Sequence, residues 1–359
     1  MHLAINAPEE ETRLNELKYA YLTPGHYARG WHIVLFSQEL AVGEVKRLHY
    51  FDRDLVAYRG ESGNAAILDA HCPHLGAHLG SGEGRVTGNN IACPFHGWTF
   101  DPRGHCVDIP YANTIPDKAV TALRGWPVQE KSGFIAMWFG EPGEAPEDYL
   151  PDIMEWGEEG EGWGDWAFYR SRIQAKPCDI IENIVDIAHF PHVHGGKVRS
   201  WENKFTERSV TQLSTIEQNA NAKMIIPPGV TLDLADARKD AGADANAWGD
   251  ATYHGPSIMY YYTESRSPDI KFKSWWVNCH TAVNDNEVDL CSAVIVSSLD
   301  EKPLPADFAE HYPQMAHVAF EQDVEIWRDK VYRDEPILCD GDGPINKLRK
   351  WYEQFYLPR

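Results

Sequence analysis

Two short segments, each with a cysteine and a histidine, constrain this chain more than any other feature of its sequence. The first reads CPHLG over residues 72–76, and the second reads CPFHGW over residues 93–98. Each segment can bring two metal ligands to one point if a scaffold holds both loops together. The four candidate ligands are Cys72, His74, Cys93 and His96.

Two cysteines and two histidines are also a normal ligand set for structural zinc. The C-x-H spacing is unusual for a zinc finger, however, and a proline follows each cysteine with a glycine close behind. Phe95 and Trp98 could shield a redox centre from water, which a structural ion does not need. The motif closely resembles that of Rieske proteins, in which two thiolates hold one iron of a [2Fe–2S] cluster and two imidazoles hold the other.

Both segments lie in a region where short strand-like runs alternate with turn residues, which is typical of a small all-β domain. The runs are WHIVLF (31–36), LVAYR (55–59), AAILD (65–69) and FIAMWF (134–139). After a linker rich in glycine and proline, longer runs predict three further strands and a late helix. These are SIMYYYT (257–263), SWWVNCHTAV (274–283), VDLCSAVIVSS (288–298) and a helix over about 305–331.

A second group of candidate ligands follows the linker. A helix is expected over residues 177–190, because Pro191 cannot continue it. The turned chain can then bring His194 back towards His189. Along this helix, Asn183, Asp186 and His189 would share one face, opposite Ile180, Ile184 and Ile187.

Two imidazoles and one carboxylate leave three coordination positions open, which is the facial triad of mononuclear non-haem iron(II) enzymes that activate O₂. By themselves, His189 and His194 could equally be two core histidines at a helix end. The iron–sulfur motif in the same chain favours the iron site.

The order D-x-x-H-x-x-x-x-H at 186–194 matches the Rieske non-haem iron oxygenases, and the resemblance extends over nearly the whole chain. Several stretches look like the oxygenase component of the 3-ketosteroid 9α-hydroxylase family. They are ARGWH (28–32), ACPFHGW (92–98), IPYA (109–112), IIENIVDIAHFPHVH (180–194), FEQDVEIWRDK (320–330) and LRKWYEQFY (348–356).

The resemblance implies an α+β fold with an all-β Rieske [2Fe–2S] domain and a catalytic domain. The catalytic domain would be of the helix-grip (START-like) type, with a central antiparallel sheet. The implied divisions are a helical arm at 1–29, the Rieske domain at 30–140, a linker at 141–166 and the mononuclear iron domain at 167–359.

The resemblance also assigns roles to residues of the late helix. In the family a carboxylate from this helix completes the iron site, which implies Asp323, with Glu321 as the alternative. Phe320 and Trp327 would share a helical face with Asp323 and line the substrate pocket, and Asn278 would lie beneath that pocket.

Asp186 is implied to be a bridge rather than a ligand. In the family, the acid at this position hydrogen-bonds an iron-ligand histidine of its own chain and a cluster histidine of the neighbouring subunit. Carried over, Asp186 would be a buried carboxylate that joins His189 to His96 of the next chain in a homotrimer. Such a contact would couple electron and proton movement.

The implied activity is hydroxylation of an unactivated C–H bond of a steroid, with O₂ and with electrons from NADH through a separate reductase. Two alternatives stay open. The same architecture could act on another hydrophobic or aromatic substrate, as a demethylase, dioxygenase or desaturase. The chain could also be a non-catalytic Rieske electron-transfer or binding protein.

Composition excludes several other classes. The net charge of −21 argues against nucleic-acid binding. No apolar run is long enough for a membrane anchor, and no secretory signal is expected at the N-terminus. Seven cysteines without an export signal indicate a reducing, cytoplasmic location. The polar segment 227–255 is expected to be a long surface loop.

Overall fold

The computed structural model describes residues 21, 23–82, 84–146, 150, 163–218, 247–266, 270–300 and 302–356. These residues combine antiparallel sheets with a small number of helices, which confirms the predicted α+β class. Within the described residues, none of the helices has the length and apolar character needed to cross a membrane. Of the predicted N-terminal arm at 1–29, residues 21 and 23–29 are described.

The first eleven strands form three small antiparallel sheets, ordered β1-β11-β10, β2-β3-β4-β9 and β5-β6-β7-β8. Both Cys/His segments are loops of this region, one between β4 and β5 and the other between β6 and β7. The strands are β1 (Gly30–Phe36), β2 (Val45–Tyr50), β3 (Arg53–Arg59), β4 (Ala65–Asp69), β5 (Arg85–Thr87), β6 (Asn90–Ala92), β7 (Thr99–Phe100), β8 (Cys106–Asp108), β9 (Gly125–Trp126), β10 (Val128–Lys131) and β11 (Phe134–Phe139), with a short helix α1 (Asp117–Val120) before β9.

Strand β11 is apolar throughout because both of its faces are buried. Ile135 and Met137 point into the core of the N-terminal domain. Phe134, Ala136 and Trp138 point the other way and pack against the large sheet of the C-terminal half. Alternate side chains of one strand therefore belong to two cores, which explains an unbroken apolar run where alternation would be usual.

The C-terminal half is built on one seven-stranded antiparallel sheet, ordered β12-β18-β17-β16-β15-β14-β13. The three predicted strands of this half are confirmed as its centre, since apolar runs of this length mark strands covered on both faces. The strands are β12 (Ala167–Gln174), β13 (Gly196–Phe205), β14 (Ser209–Gln218), β15 (Ala247–His254), β16 (Ile258–Arg266), β17 (Lys271–Asn284) and β18 (Glu287–Ser298).

The predicted surface loop 227–255 is wrong over its last part. Residues 247–254 form β15, which pairs antiparallel with both β14 and β16. The Gly and Asp residues of this segment gave a loop-like composition, but hydrogen bonds from two neighbouring strands override weak local preference. Residues 227–246 lie outside the described residues.

The helix predicted over 177–190 is also wrong beyond Val185. An α-helix gives way to a 3-10 helix, the chain is extended at Asp186, and a single π-helical turn then carries the second histidine. The Asp186 carboxylate accepts the Ala188 N–H at 3.1 Å, a local bond that competes with helix continuation. The helices are α2 (Pro177–Ile181), the 3-10 helix (Glu182–Val185), the π turn (Phe190–His194), α3 (Ala306–Asp329) and α4 (Ile345–Tyr352).

Helix α3 matches the predicted late helix and lies across one face of the seven-stranded sheet. Val324 and Trp327 pack on Ile173 of β12 and Leu290 of β18 in one apolar cluster. The other face of the sheet meets the N-terminal domain, so α3 and the Rieske domain lie on opposite sides of it.

A partly buried ion pair of the large sheet contacts the N-terminal half of the chain through Tyr50 and Glu39. Arg170 of β12 pairs with Asp289 of β18, which also accepts a hydrogen bond from the Tyr50 hydroxyl at 2.5 Å. Arg170 reaches Glu39 at 2.9 Å as well. Because Asp289 is buried, removing one partner would leave an uncompensated charge, which is far more costly than losing a surface pair.

A cavity of about 150 Å³ lies at the same junction and is lined by two buried histidines, His32 of β1 and His280 of β17. Burial lowers the pKa of His32 to about 4, against a smaller opposing effect of its hydrogen bond to the Ala28 carbonyl. Burial lowers the pKa of His280 to about 3, and the charge on His32 adds to this effect. Both rings are therefore neutral at neutral pH.

We expect these two histidines to make the fold acid-sensitive. Below about pH 6.5 the unfolded chain binds protons that the folded chain does not, so the free energy of unfolding falls from pH 6.5 towards pH 4. At pH 5 each histidine should cost about 2 kcal/mol of stability relative to pH 7. Thermal unfolding of wild type and His280→Asn should converge as pH falls, since the variant lacks one of the two titrations. Parallel Tm curves would contradict this account.

Candidate functional site

The two cluster loops share one backbone design. The Cys72 N–H donates to the Ala77 carbonyl at 2.9 Å, and the Gly76 N–H donates back to the Cys72 carbonyl at 2.9 Å. The same two bonds recur in the loop of Cys93, at 2.7 and 3.0 Å. Gly76 and Gly97 have φ of +75° and +77°, a region that side chains other than glycine rarely adopt. The glycine that follows each Cys-Pro pair in the sequence is therefore required by the tight turn of the loop.

The side chains of these loops converge as expected for a shared centre. Cys72 and Cys93 are buried, and the rings of His74 and His96 lie 4.8 Å apart. Burial raises the pKa of the Cys72 thiol to about 12, and the neighbouring Cys93 adds to the shift. Such a thiol ionises only beside a strong positive charge, which iron supplies.

One unpaired atom tests the fit of a cluster here. The Nδ1 atom of His96 is buried and has no hydrogen-bond partner among the described residues. A lone pair without a partner is costly unless it coordinates a metal. Two buried cysteines and an imidazole nitrogen without a hydrogen-bond partner fit a [2Fe–2S] centre held by two cysteines and two histidines.

Aromatic side chains surround the cluster ligands unevenly. Trp98 stacks on His74, with ring centres 4.7 Å apart and planes 4° from parallel, and donates a hydrogen bond to Tyr111. Phe95 lies 3.8 Å from the His96 ring but is 61% exposed. Within one chain, therefore, Trp98 covers the centre and Phe95 faces outward.

A second centre lies where the π turn meets helix α3. His189 and His194 flank the turn, and Asp323 comes from α3. Asp323 Oδ1 lies 3.3 Å from His194 Nε2 and 3.9 Å from His189 Nε2. In the described part of the chain these three residues form the one group of three His, Cys, Asp or Glu side chains close enough to hold a single metal ion. The predicted ligands are thus brought together.

The outer nitrogens of both rings are hydrogen-bonded, which sets the tautomers. His189 Nδ1 donates to the Asp186 backbone carbonyl at 2.6 Å. His194 Nδ1 lies 3.0 Å from the side-chain oxygen of Gln322. The Nε2 atoms of both rings can then direct their lone pairs at one point. His189 Nε2 is buried and has no hydrogen-bond partner among the described residues. This donor set fits iron(II) with three positions left open.

The two histidines have opposite electrostatic environments. Burial lowers the pKa of His189, and the negative charges of Asp323 and Asp186 only partly offset it. Burial also acts to lower the pKa of His194, but its hydrogen bonds to Asp323 and Gln322 outweigh burial and raise it. A metal cation that binds here would take the place of any proton on His194 Nε2.

Asn183 and Glu321 occupy different surroundings. Asn183 Nδ2 donates to Asp323 Oδ2 at 3.2 Å and so directs the other carboxylate oxygen towards the histidines. Glu321 faces Arg328 at 3.6 Å and His317 at 3.9 Å, away from the site. The geometry therefore favours Asp323 as the third ligand, and Asn183 as the residue that orients it.

The Asp186 side chain is 40% exposed in a single chain, so burial of this carboxylate between two imidazoles would require the neighbouring subunit. Its backbone carbonyl, not its side chain, holds His189, and its Oδ2 atom lies 3.8 Å from His189 Nδ1. The extended backbone at this position turns the carboxylate outward. The bridging role stays a prediction.

The three predicted pocket residues lie between the sheet and α3. Phe320 packs edge-to-face on Trp327 at 5.8 Å, and Trp327 itself is buried in the helix–sheet core. Asn278 is buried on β17 and accepts a hydrogen bond from Ser292 at 2.7 Å. Contact with a substrate stays a prediction for all three. Gln322 was missed, because the sequence gives no sign of a contact with a residue so distant in the chain.

Comparisons with known proteins agree with this geometry. Residues 137–356 match the family of the 3-ketosteroid 9-alpha-hydroxylase C-terminal domain, and residues 30–123 match the Rieske [2Fe–2S] domain. A probable 3-ketosteroid-9-alpha-monooxygenase oxygenase component of Rhodococcus rhodochrous is 36% identical, covering 93% of this chain and 81% of the relative. The 3-ketosteroid-9-alpha-monooxygenase oxygenase component of Mycobacterium tuberculosis is 33% identical, covering 93% and 83%.

Solved structures share the fold at much lower identity. Dicamba monooxygenase bound to 3,6-dichlorosalicylic acid is 20% identical and has a TM-score of 0.70, covering 91% of this chain and 97% of the other. The chain carries a Rieske [2Fe–2S] domain and is a monooxygenase component, as its relatives are, and a solved structure of the same fold, dicamba monooxygenase, contains non-haem iron. The chain belongs to the 3-ketosteroid 9α-hydroxylase family of Rieske oxygenase components.

Proposed function

We propose that this chain is the oxygenase component of a multicomponent monooxygenase that hydroxylates an unactivated C–H bond of a steroid. The reaction consumes the substrate, O₂, two electrons and two protons, and it yields the alcohol and water. One observation carries the proposal. The same chain contains a Rieske domain, whose cluster carries electrons, and a group of two histidines and one aspartate that could hold an iron ion. Electrons would come from NADH through a separate reductase.

The catalytic residues hold and orient rather than react. His189, His194 and Asp323 would bind iron(II), which supplies the activation of O₂ when it is present. Asn183 keeps one oxygen of Asp323 occupied, so that the carboxylate offers its other oxygen to the metal. His189 is fixed through backbone, which makes its direction independent of nearby side chains.

The aromatic side chains that face one another between the seven-stranded sheet and α3 suit a large hydrophobic substrate. Tyr261 of β16, Trp276 of β17 and Tyr312 of α3 form an aromatic layer between sheet and helix, with ring centres 5.7 and 6.2 Å apart. Asn278 follows Trp276 by two residues on β17 and shares its face. An aromatic wall with a few polar groups is the usual lining for a steroid-sized apolar ligand.

The substrate proposal is tested by turnover of a steroid panel with a surrogate NADH-dependent reductase. We expect consumption of a 3-ketosteroid and a product that gains one oxygen atom, labelled when ¹⁸O₂ is used and detected by mass spectrometry. Asp323→Ala protein carrying an intact cluster is the control. If the protein oxidises aromatic or methoxylated compounds but no steroid, the alternative of an oxygenase with another substrate is favoured. If its cluster can be reduced but no substrate is oxidised, an electron carrier is favoured.

We also propose that the chain works as a homotrimer with contacts between unlike surfaces. Around the cluster ligands, Leu75, Phe95, Val107 and Tyr111 form an exposed apolar patch, here called the cluster patch. A second exposed set, Val331, Ile337 and Leu338, is here called the tail patch. Exposed apolar surface of this kind usually marks an interface.

The tail patch belongs to the segment that lies beside Asp186. A side-chain carbon at Gly343 would fall 1.5 Å from the Val185 carbonyl oxygen, so this backbone lies directly against the residue before Asp186. Packing of one chain's cluster patch near the next chain's tail patch would bring His96 towards the exposed Asp186 carboxylate. Contacts between unlike surfaces close into a ring when the rotation between subunits allows it, and for a trimer that rotation is about 120°.

The location we propose is the cytoplasm. NADH is available there, none of the seven cysteines forms a disulfide, and the five that are not cluster ligands are free thiols. Reduced thiols are the normal state of that compartment.

A further inference from the structure

Gln322 stands directly before the iron ligand Asp323 on α3 and contacts a different ligand. Its side-chain oxygen lies 3.0 Å from Nδ1 of His194, a residue 128 positions away. One helix therefore supplies both the third ligand and the hydrogen-bond partner of the second. Glu321, the residue before Gln322, takes no part and pairs with Arg328 instead.

The two ligand histidines differ in what holds them. His189 Nδ1 donates to a backbone carbonyl at 2.6 Å, and no side-chain substitution removes that acceptor. The described residues offer His194 Nδ1 a single hydrogen-bond partner, the Gln322 amide. The orientation of His194 can therefore be changed by one substitution, while that of His189 cannot.

The choice of tautomer decides whether His194 can bind a metal. A neutral imidazole has one N–H and one lone pair, and only the nitrogen with the lone pair can coordinate. With Nδ1–H donating to Gln322, the lone pair lies on Nε2, which is 3.3 Å from Asp323 Oδ1. Without the Gln322 oxygen, the favoured tautomer places the N–H on Nε2, where it donates to Asp323 and blocks the metal position.

We propose that Gln322 is a positioning residue that sets the tautomer and direction of His194 and thereby the iron affinity of the site. The inference rests on the assignment of His189, His194 and Asp323 as iron ligands. It needs neither the steroid substrate nor the trimer. Partners of this kind typically contribute 10–100-fold to metal affinity.

The test is the Kd for Fe(II) of purified holoprotein, measured by competition with a chromophoric chelator and without substrate. Gln322→Ala should weaken Fe(II) binding about 10–100-fold, with cluster absorbance unchanged. Gln322→Glu keeps an acceptor oxygen at the same reach and should restore tight binding. Glu325→Ala, an exposed position of the same helix, is the matched control and should bind as wild type does.

Two results would overturn the inference. Binding of Fe(II) by Gln322→Ala within twofold of wild type would show that the contact does not set affinity. Alternatively, Gln322→Glu could be as weak as Gln322→Ala, which would assign the loss to packing rather than to the acceptor. Wild-type protein that binds Fe(II) tightly but hydroxylates no steroid would leave this inference standing while the proposed substrate fails.

Discussion

Asp323→Ala should remove the mononuclear iron and leave the [2Fe–2S] cluster in place. The reason is geometric, because Asp323 Oδ1 is the atom that lies close to both ligand histidines. Loss of a direct ligand should weaken Fe(II) binding by more than the about 100-fold that outer partners reach. The iron content measured by metal analysis should fall by one iron per chain. The absorbance of the cluster should persist, and hydroxylation should be lost.

Glu321→Ala is the matched control for this experiment, since it removes a carboxylate two residues away on the same helix. Glu321 faces Arg328 and His317 rather than the ligand histidines, so iron content should stay at the wild-type value. If Glu321→Ala loses iron and Asp323→Ala retains it, the third ligand is Glu321 and the helix is placed wrongly. Full iron in both variants would point to a carboxylate outside α3.

The cluster loops could be predicted from sequence because their requirements are local. Each needs a cysteine, a histidine within three residues and a glycine in the left-handed region, and all of these stand in one short segment. Strands could be predicted in the same way, since β11 is apolar over its whole length and β18 contains a run of four apolar residues, Ala293–Val296.

The mononuclear site was only partly predictable. The two histidines and Asp323 follow from motif and resemblance, but the break at Asp186 depends on a competition between helix and a local side-chain bond to Ala188. Helix propensity does not predict which of two local conformations of similar free energy the backbone adopts. The outward direction of the Asp186 carboxylate follows from that break, which the helix predicted over 177–190 did not include.

Contacts between segments that are distant in the chain could not be predicted from the sequence. β15 becomes a strand through pairing with two neighbours, although its own residues favour a loop. The contact between Gln322 and His194 depends on the position of α3 on the sheet, which Val324 and Trp327 fix by packing. Patterns of period 2 or 3.6 report the elements, whereas the partners of a polar side chain depend on how the elements pack.

Asp186→Ala should keep both metals yet lose nearly all turnover. Iron should stay because His189 is held by the backbone carbonyl of residue 186, which alanine also has. Electron transfer should fail because the exposed carboxylate that would meet the neighbouring cluster is gone. We expect a fall of at least about 100-fold in the reoxidation rate of the reduced cluster, measured by stopped flow with substrate and O₂. Asp307→Ala, an exposed acid at the start of α3, is the control and should react at the wild-type rate.

Mixed assemblies separate transfer between chains from transfer within one chain. A chain with His96→Ala would lack a working cluster, and a chain with Asp323→Ala would lack iron, so neither alone should hydroxylate. Co-expressed in one oligomer, they should recover part of the activity, because the cluster of one can serve the iron of the other. Adding Asp186→Ala to the His96→Ala chain, which carries the receiving iron, should abolish that recovery, whereas adding it to the Asp323→Ala chain should not. An inactive mixture of the two metal variants, in oligomers shown to contain both chains, would place the electron path within a single subunit and leave Asp186 without a bridging role.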